Sequence, residues 1–266
     1  MLRISKENKA AILEQVRLGN IDAASLSVSG LVDDVIRAMK KNNILDCLLE
    51  GFEDKRADNT TVPFDIVLAL AIAAKMRTNT SLSDIPFALT DHRTICELGY
   101  SMVDPDGLEN GLMTEGTIRH MIGKYEPQEL FTAYNKTVQQ HIIPKQDIES
   151  NIHILDCTKL RVNLKNENYE GSGVFRDEEG TSRGYKLSTI RGIVGDSGII
   201  EEIAFGPINV HDLTLSREML LNTPVLKPGD ILINDRGFLS RELINHLKRR
   251  RDVDTYIPLR KNMEAC

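Results

Sequence analysis

Asn151–Cys157 reads NIHILDC, an apolar run of strand length that ends in an acid. It stands just past the point where the chain changes character. Up to about residue 150, apolar residues recur at helical spacing; beyond it they alternate or cluster in short β-branched runs. Gly184–Val194 (GYKLSTIRGIV) and Ile199–Phe205 (IIEEIAF) read as two more strands, with the Gly195–Gly198 turn (GDSG) between them. Val210–Leu221 reads as a helix, Pro228–Asp230 as a turn and Ile231–Ile233 as a strand. Ser240–Arg251 is then a helix and Thr255–Leu259 a last strand. The predicted order is β, β, β, α, β, α, β, which specifies a mixed α/β sheet. The polar segment Lys165–Arg183 reads as a surface loop or an insertion.

Outward from that stretch, the N-terminal part is all helical in pattern. Ala10, Ile12, Leu13 and Val16 fall on one face of Lys6–Leu18, and Leu31–Leu49 gives a second helix. Thr61 and Pro63 open a third, a capping hydroxyl followed by a first-turn proline. Its body, IVLALAIAAKM, is apolar all round and should be buried. Pro127 starts another helix, in which Leu130, Tyr134, Val138 and Ile142 recur every fourth residue. The expected division is a helical domain over 1–148 and an α/β domain over 149–266.

Composition narrows the function classes. The 266 residues are 41% hydrophobic and 27% charged, enough for one large or two modest cores. The most apolar stretch, Val62–Met76, contains Asp65 and Lys75 and is shorter than the about 20 residues of a membrane span. The polar start MLRISKENKAAILEQ lacks the apolar core of a signal peptide, so a cytoplasmic protein is expected. Cys47, Cys96, Cys157 and Cys266 lie far apart with no zinc-ligand spacing, which argues against structural zinc and a disulfide framework. Aromatic residues make up 5% with no Trp, a poor basis for a base-stacking surface. The net charge is −6, yet the C-terminal stretch is basic. Arg236, Arg241, Lys248, Arg249, Arg250, Arg251, Arg260 and Lys261 face only Glu242, Asp252 and Asp254 in number.

Two acids carry the candidate chemistry. Asp156 ends one apolar run, and Asp235 follows the strand Ile231–Ile233. A carboxylate at a buried strand end is costly unless it is paired or binds a cation. Two such acids on one sheet can converge, and hard oxygen ligands suit Mg²⁺ or Mn²⁺. Metals so held can stabilise the attacking and leaving oxygens of a phosphoryl transfer. Each Asp taken singly is as well explained as the cap of a turn or of the following helix.

The words around the acids are more specific. HILDCTKL resembles the first-Asp strand of IS4-type DDE transposases, GYKL their second strand, and NVHDLTLSREML the helix start after the third. GDILINDRGFLSRELI resembles their second-Asp segment, where Asp-Arg-Gly precedes an aromatic residue. These words stand in the family's order over roughly residues 150–262. The resemblance implies an RNase H-like fold, a DDE triad beginning with Asp156 and Asp235, and two divalent metals, Mg²⁺ or Mn²⁺. It also implies cleavage and joining of double-stranded DNA at transposon ends by a prokaryotic, nucleoid-associated protein acting as a homodimer on DNA. The N-terminal helices would then bind DNA ends or a second protomer. The family's third acid follows an inserted β-rich segment, in a Tyr-x-x-Arg-x-x-x-Glu word on a later helix. No such word occurs up to Cys266, and Glu264 lies on no predicted helix. The expectation is therefore a C-terminally truncated enzyme with an incomplete RNase H-like sheet, inactive by itself. A truncated form that binds DNA or full-length partners and inhibits transposition is the alternative. A phosphatase of the haloacid-dehalogenase sort ranks last, because it requires Asp-x-Asp where this chain has Asp156-Cys157-Thr158.

Candidate DNA contacts are Lys186, Arg236, Lys248, Arg249, Arg250 and Arg251, through phosphate neutralisation. Each has a plainer reading: an exposed strand lysine, an ion pair across a turn, or a basic helix end matched to its dipole. His211 and Asp212 are lesser metal-ligand candidates, since an Asp before a helix is more often its cap.

Overall fold

The computed structural model describes residues 2–3, 14–15, 17–19, 24–25, 30–56, 62–77, 81–89, 92–100, 112–145, 150–165, 169–178 and 180–258. Contacts divide the chain into two compact units, Met1–Glu126 and Pro127–Cys266.

The first unit is mainly helical among its described residues, apart from a two-residue parallel pairing of Leu2–Arg3 with Ala24–Ser25. Its helices are α1 (Leu31–Lys41), α2 (Ile44–Glu50), α3 (Phe64–Met76), α4 (His92–Glu97) and α5 (Glu115–Ile122). The continuous helix expected over Leu31–Leu49 is broken at Asn42-Asn43, where Asn43 takes φ 60°. Asn tolerates that left-handed conformation better than most residues, so the pair turns the chain. Pro63 stands at the N-cap of α3 rather than inside its first turn, and Thr61 lies outside the described residues. Ala69, Leu70 and Ala73 of α3 are fully buried among Ile36, Leu45, Leu89 and Ile118. Among the described residues of this unit two acids are buried, and both are satisfied. Asp33 faces Arg77 at 3.5 Å and accepts from the Thr94 hydroxyl at 3.3 Å. Asp65 accepts from the Tyr100 hydroxyl at 2.9 Å, and burial together with that carboxylate pushes the phenol up to about 12. The helix expected over Lys6–Leu18 lies largely outside the described residues.

The second unit opens with α6 (Pro127–Thr137), continued by a π-helical turn over Val138–Ile142. Six strands follow: β1 (Ile152–Val162), β2 (Gly173–Asp177), β3 (Gly180–Val194), β4 (Ser197–Pro207), β5 (Ile231–Asn234) and β6 (Asp254–Tyr256). Helix α7 (Asp212–Asn222) precedes β5, and α8 (Arg241–Arg251) precedes β6. The sheet order is β2-β3-β1-β5-β6, with β4 on β3. β1 is antiparallel to β3 and parallel to β5, and β5 is parallel to β6. This mixed six-stranded sheet after a helical region is consistent with the RNase H-like fold. The loop expected over Lys165–Arg183 is in part a hairpin instead. β2 pairs with the first residues of β3 across a turn at Gly180, whose φ is +120°. Pairing with a long neighbouring strand has overridden a polar composition there.

One core cluster joins sheet and helices. Leu155, Ile190 and Leu232 pack with Met219 and Leu220 of α7 and Leu243 and Leu247 of α8, so both helices cover the same sheet face. α6 serves the edge strand β4. The Asn135 amide donates to Ile203 O and its oxygen accepts from Ile203 N, both at 2.9 Å, and Tyr134 donates to Ile200 O at 2.9 Å. Phe131 packs on Phe205, which stacks on Tyr185. These contacts place α6 with the sheet, so the contact boundary falls upstream of residue 148, while the change to strand pattern comes near 150.

Candidate active site

Asp156 and Asp235 are brought together by strand register. β1 and β5 run parallel with Leu155 opposite Asn234, so the two acids are the next residues on adjacent strands. Neighbouring strands lie about 4.8 Å apart. Side chains alternate along a strand, and Leu155 is buried under the helices while Asp156 is exposed. Asp235 is exposed as well, and its Oδ1 accepts from Gly237 N at 2.7 Å, capping the short 3₁₀ turn Arg236–Phe238. The capping role and the placement beside Asp156 are both present in this residue.

A third acid adjoins Asp235. A Cβ added to Gly237 would lie 3.0 Å from Asp235 Oδ1 and 3.1 Å from Asp212 Oδ2. The glycine of the Asp-Arg-Gly word is thus the space between two carboxylates. Asp212 is the first residue of α7, whose N-cap is His211, with Nδ1 accepting from Leu213 N at 3.3 Å. His211 is therefore engaged as the cap. The other Asp212 oxygen is 2.5 Å from Lys186 Nζ, which also donates to Val210 O at 2.6 Å.

Lys186 is 7% exposed, so the strand lysine expected to meet phosphate or solvent instead faces inward onto Asp212. Burial of a lysine requires such a partner, and β3 turns this residue to the helix-covered face. Next to Asp156, the Cys157 thiol lies among Ser188 and Ser216, whose hydroxyls are 2.7 Å apart. Burial chiefly pushes that thiol up to about 11, which excludes it as a neutral-pH nucleophile.

The other basic candidates divide by engagement. Lys248 sits 3.0 Å from Asp252 and 2.9 Å from Asp254, and both carboxylates hold its pKa above the usual lysine range. Arg251 donates to the carbonyls of Leu220, Thr223 and Leu226 at 3.4, 2.5 and 2.8 Å, tying the end of α7 to α8. Arg236, Arg249 and Arg250 are exposed. Arg260, Lys261 and Glu264 lie outside the described residues.

Asp156 and Asp235 are both exposed and offer hard carboxylate oxygens. These groups fit Mg²⁺ or Mn²⁺ better than a thiophilic metal. Among the described residues no group of three or more His, Cys, Asp or Glu is arranged around a metal position. The pair would supply part of a coordination sphere, with water or substrate oxygens supplying the rest. Asp212, a lesser candidate in the sequence, stands across the glycine at 237 from Asp235 and is paired with Lys186.

Among the described residues no helix is long and apolar enough to cross a membrane. No curated protein matches the chain. Residues 151–265, the stretch that carries the sheet and both acids, match the family model described as the transposase DDE domain.

Proposed function

We propose that this protein is a DNA transposase of the IS4 type, cutting and joining double-stranded DNA at the ends of a mobile element, with Asp156 and Asp235 as its first two catalytic acids. The observation that carries the proposal is the parallel register of β1 and β5, which sets the acids side by side within the stretch similar to the transposase DDE domain. A bound Mg²⁺ or Mn²⁺ would polarise the scissile phosphate and lower the pKa of an attacking water or hydroxyl. Asp156 and Asp235 would hold that ion where β1 runs beside the end of β5. Gly237 N fixes the Asp235 carboxylate, limiting its rotation before any ion arrives. Arg236, next in the chain and exposed, is the nearest basic side chain in sequence to lie along a DNA phosphate. Arg249 and Arg250 extend the basic surface at the end of α8, and the protein would act as a homodimer on DNA at the nucleoid.

The test uses duplex DNA carrying the terminal sequences that flank the encoding gene, with Mg²⁺ or Mn²⁺ and product analysis on denaturing gels. Cleavage should require the metal and fall by about 10²–10³-fold or more on Asp156→Ala or Asp235→Ala, the scale of losing one transition-state contact. Mn²⁺ bound to the chain, followed by water-proton relaxation, should be lost in the same two variants. Unchanged Mn²⁺ binding in both variants would remove these acids from the site.

A further inference from the structure

Behind the acids, on the helix-covered side of the sheet, lies a buried ionic cluster that the proposed chemistry does not use. His153 is 1% exposed, and its Nδ1 is 2.8 Å from Glu201 Oε2 while its Nε2 is 3.1 Å from Asp230 Oδ2. Both acids are buried, each 6% exposed. Two ring nitrogens each facing a carboxyl oxygen need a hydrogen in both gaps, so the cluster holds one more proton than a neutral imidazole between two carboxylates.

The sheet is deformed to make this contact. Glu201 belongs to β4, two strands from β1, with β3 between. Ile190 pairs with Glu202 but Arg191 pairs with Ile200, so Glu201 is the extra residue of a β-bulge. A bulge re-aims its side chain. The intervening residue of β3, opposite His153, is Gly192, and a Cβ there would fall 2.5 Å from Glu201 Oε1. Only a glycine lets the Glu201 carboxylate pass over β3 to reach β1. On the other side, Asp230 immediately precedes β5, and its Oδ2 also accepts from Lys227 N at 2.7 Å.

We propose that His153, Glu201 and Asp230 form a protonated clamp that locks the register of β1 on β5, making His153 a positioning residue for the Asp156–Asp235 pair. This rests on the reading of those two acids as cation ligands. A one-residue slip of β1 would turn His153 to the opposite face, away from Asp230. A two-residue slip would set Leu155 against the buried Asp230. Either slip also separates Asp156 from Asp235, so the clamp and the paired acids belong to one register. Burial alone would lower the His153 pKa, but Glu201 first and then Asp230 outweigh it and the net shift is upward. The stability the clamp contributes is therefore complete below the ordinary histidine value of about 6.5 and is lost as pH rises through the raised folded value. No titratable group of β3 faces the ring: Gly192 is the residue paired with it.

The experiment uses the whole 266-residue chain with ¹⁵N-labelled histidine. The His153 ring should remain protonated on both nitrogens at a pH where an ordinary histidine is mostly neutral. Glu201→Gln keeps the side chain's shape and removes its charge; Gly192→Ala displaces Glu201 and removes no ionisable group. Both should lower the His153 titration point and speed amide exchange in the β1–β5 ladder more than in the β1–β3 ladder. Mn²⁺ affinity should weaken about 10-fold in both, the usual scale for groups supporting metal ligands. In the wild type that affinity should decline with pH along the His153 titration curve. A singly protonated ring at neutral pH, or unchanged ladder exchange in both variants, overturns the clamp. Absence of Mn²⁺ binding in the wild type defeats the cation reading instead, and the titration and exchange results then decide the clamp without it.

Discussion

At the scale of single residues, the site is organised by which charges are buried. Lys186 and Asp212 form a contact in which the lysine is almost wholly enclosed and the aspartate side chain is 28% exposed. Breaking one half of a buried pair leaves the other charge uncompensated and costs about 3–5 kcal/mol; partial exposure of Asp212 reduces this to about 2–4 kcal/mol. Lys186→Met should therefore lower unfolding free energy by that amount in urea titration, and Lys186→Met with Asp212→Asn should cost clearly less than the two single changes added together. A Lys186→Met protein of unaltered stability but weakened DNA affinity would restore the phosphate-binding role that the sequence suggests. The inward lysine was hidden from sequence because alternation in β3 gives its face, while the occupant of that face, Asp212, enters from a helix 26 residues later.

At the scale of elements, what could be read was what local pattern controls. β1, β5, α7 and α8 were legible because each is an apolar run or an apolar stripe bounded by Gly, Pro or a capping residue. Ser240, for example, caps α8 through Leu243 N at 3.3 Å. β2 was not legible, since its polar residues are held by pairing to β3, a nonlocal cause. The bulge at Glu201 and the docking of α6 through Asn135 are equally nonlocal, and no local motif signals them. Arg251 shows how an element's end misleads: it sits in a basic run that reads as a DNA-facing surface, yet it serves three carbonyls at and beyond the end of α7. The last carbonyls of a helix have no intrahelical donor. Hydrogen bonds from a charged donor are worth about 1.5–3 kcal/mol, so Arg251→Ala should cost about 2–3 kcal/mol in chemical denaturation. Arg249→Ala and Arg250→Ala, exposed on the same helix, should stay within about 0.5 kcal/mol of the parent. Equal effects from all three substitutions would refute the distinction drawn between Arg251 and its neighbours.

At the scale of the whole molecule, a chain of net charge −6 must present DNA with a local positive surface or be repelled. Counting engaged side chains narrows that surface. Lys186 is neutralised inside, the exposed Lys248 lies between Asp252 and Asp254, and Arg251 is turned to backbone carbonyls, leaving Arg236, Arg249 and Arg250 as the exposed members of the six basic candidates that are not so engaged among the described residues. Each phosphate a basic side chain neutralises releases condensed counterion, and the slope of log K against log salt changes by about 0.9 per contact on duplex DNA. If these three arginines carry the contact, each arginine-to-alanine change should weaken duplex binding across sequences and make the slope shallower by about one unit. Lys248→Ala should leave the slope nearly unchanged, because its charge is already offset by two carboxylates. Binding isotherms by fluorescence anisotropy between 50 and 200 mM salt, the range over which such contacts dominate, give the slope directly. A slope that shifts with Lys248→Ala but not with Arg249→Ala or Arg250→Ala would place the DNA on the opposite side of α8, among the acids that the arrangement of charges excludes.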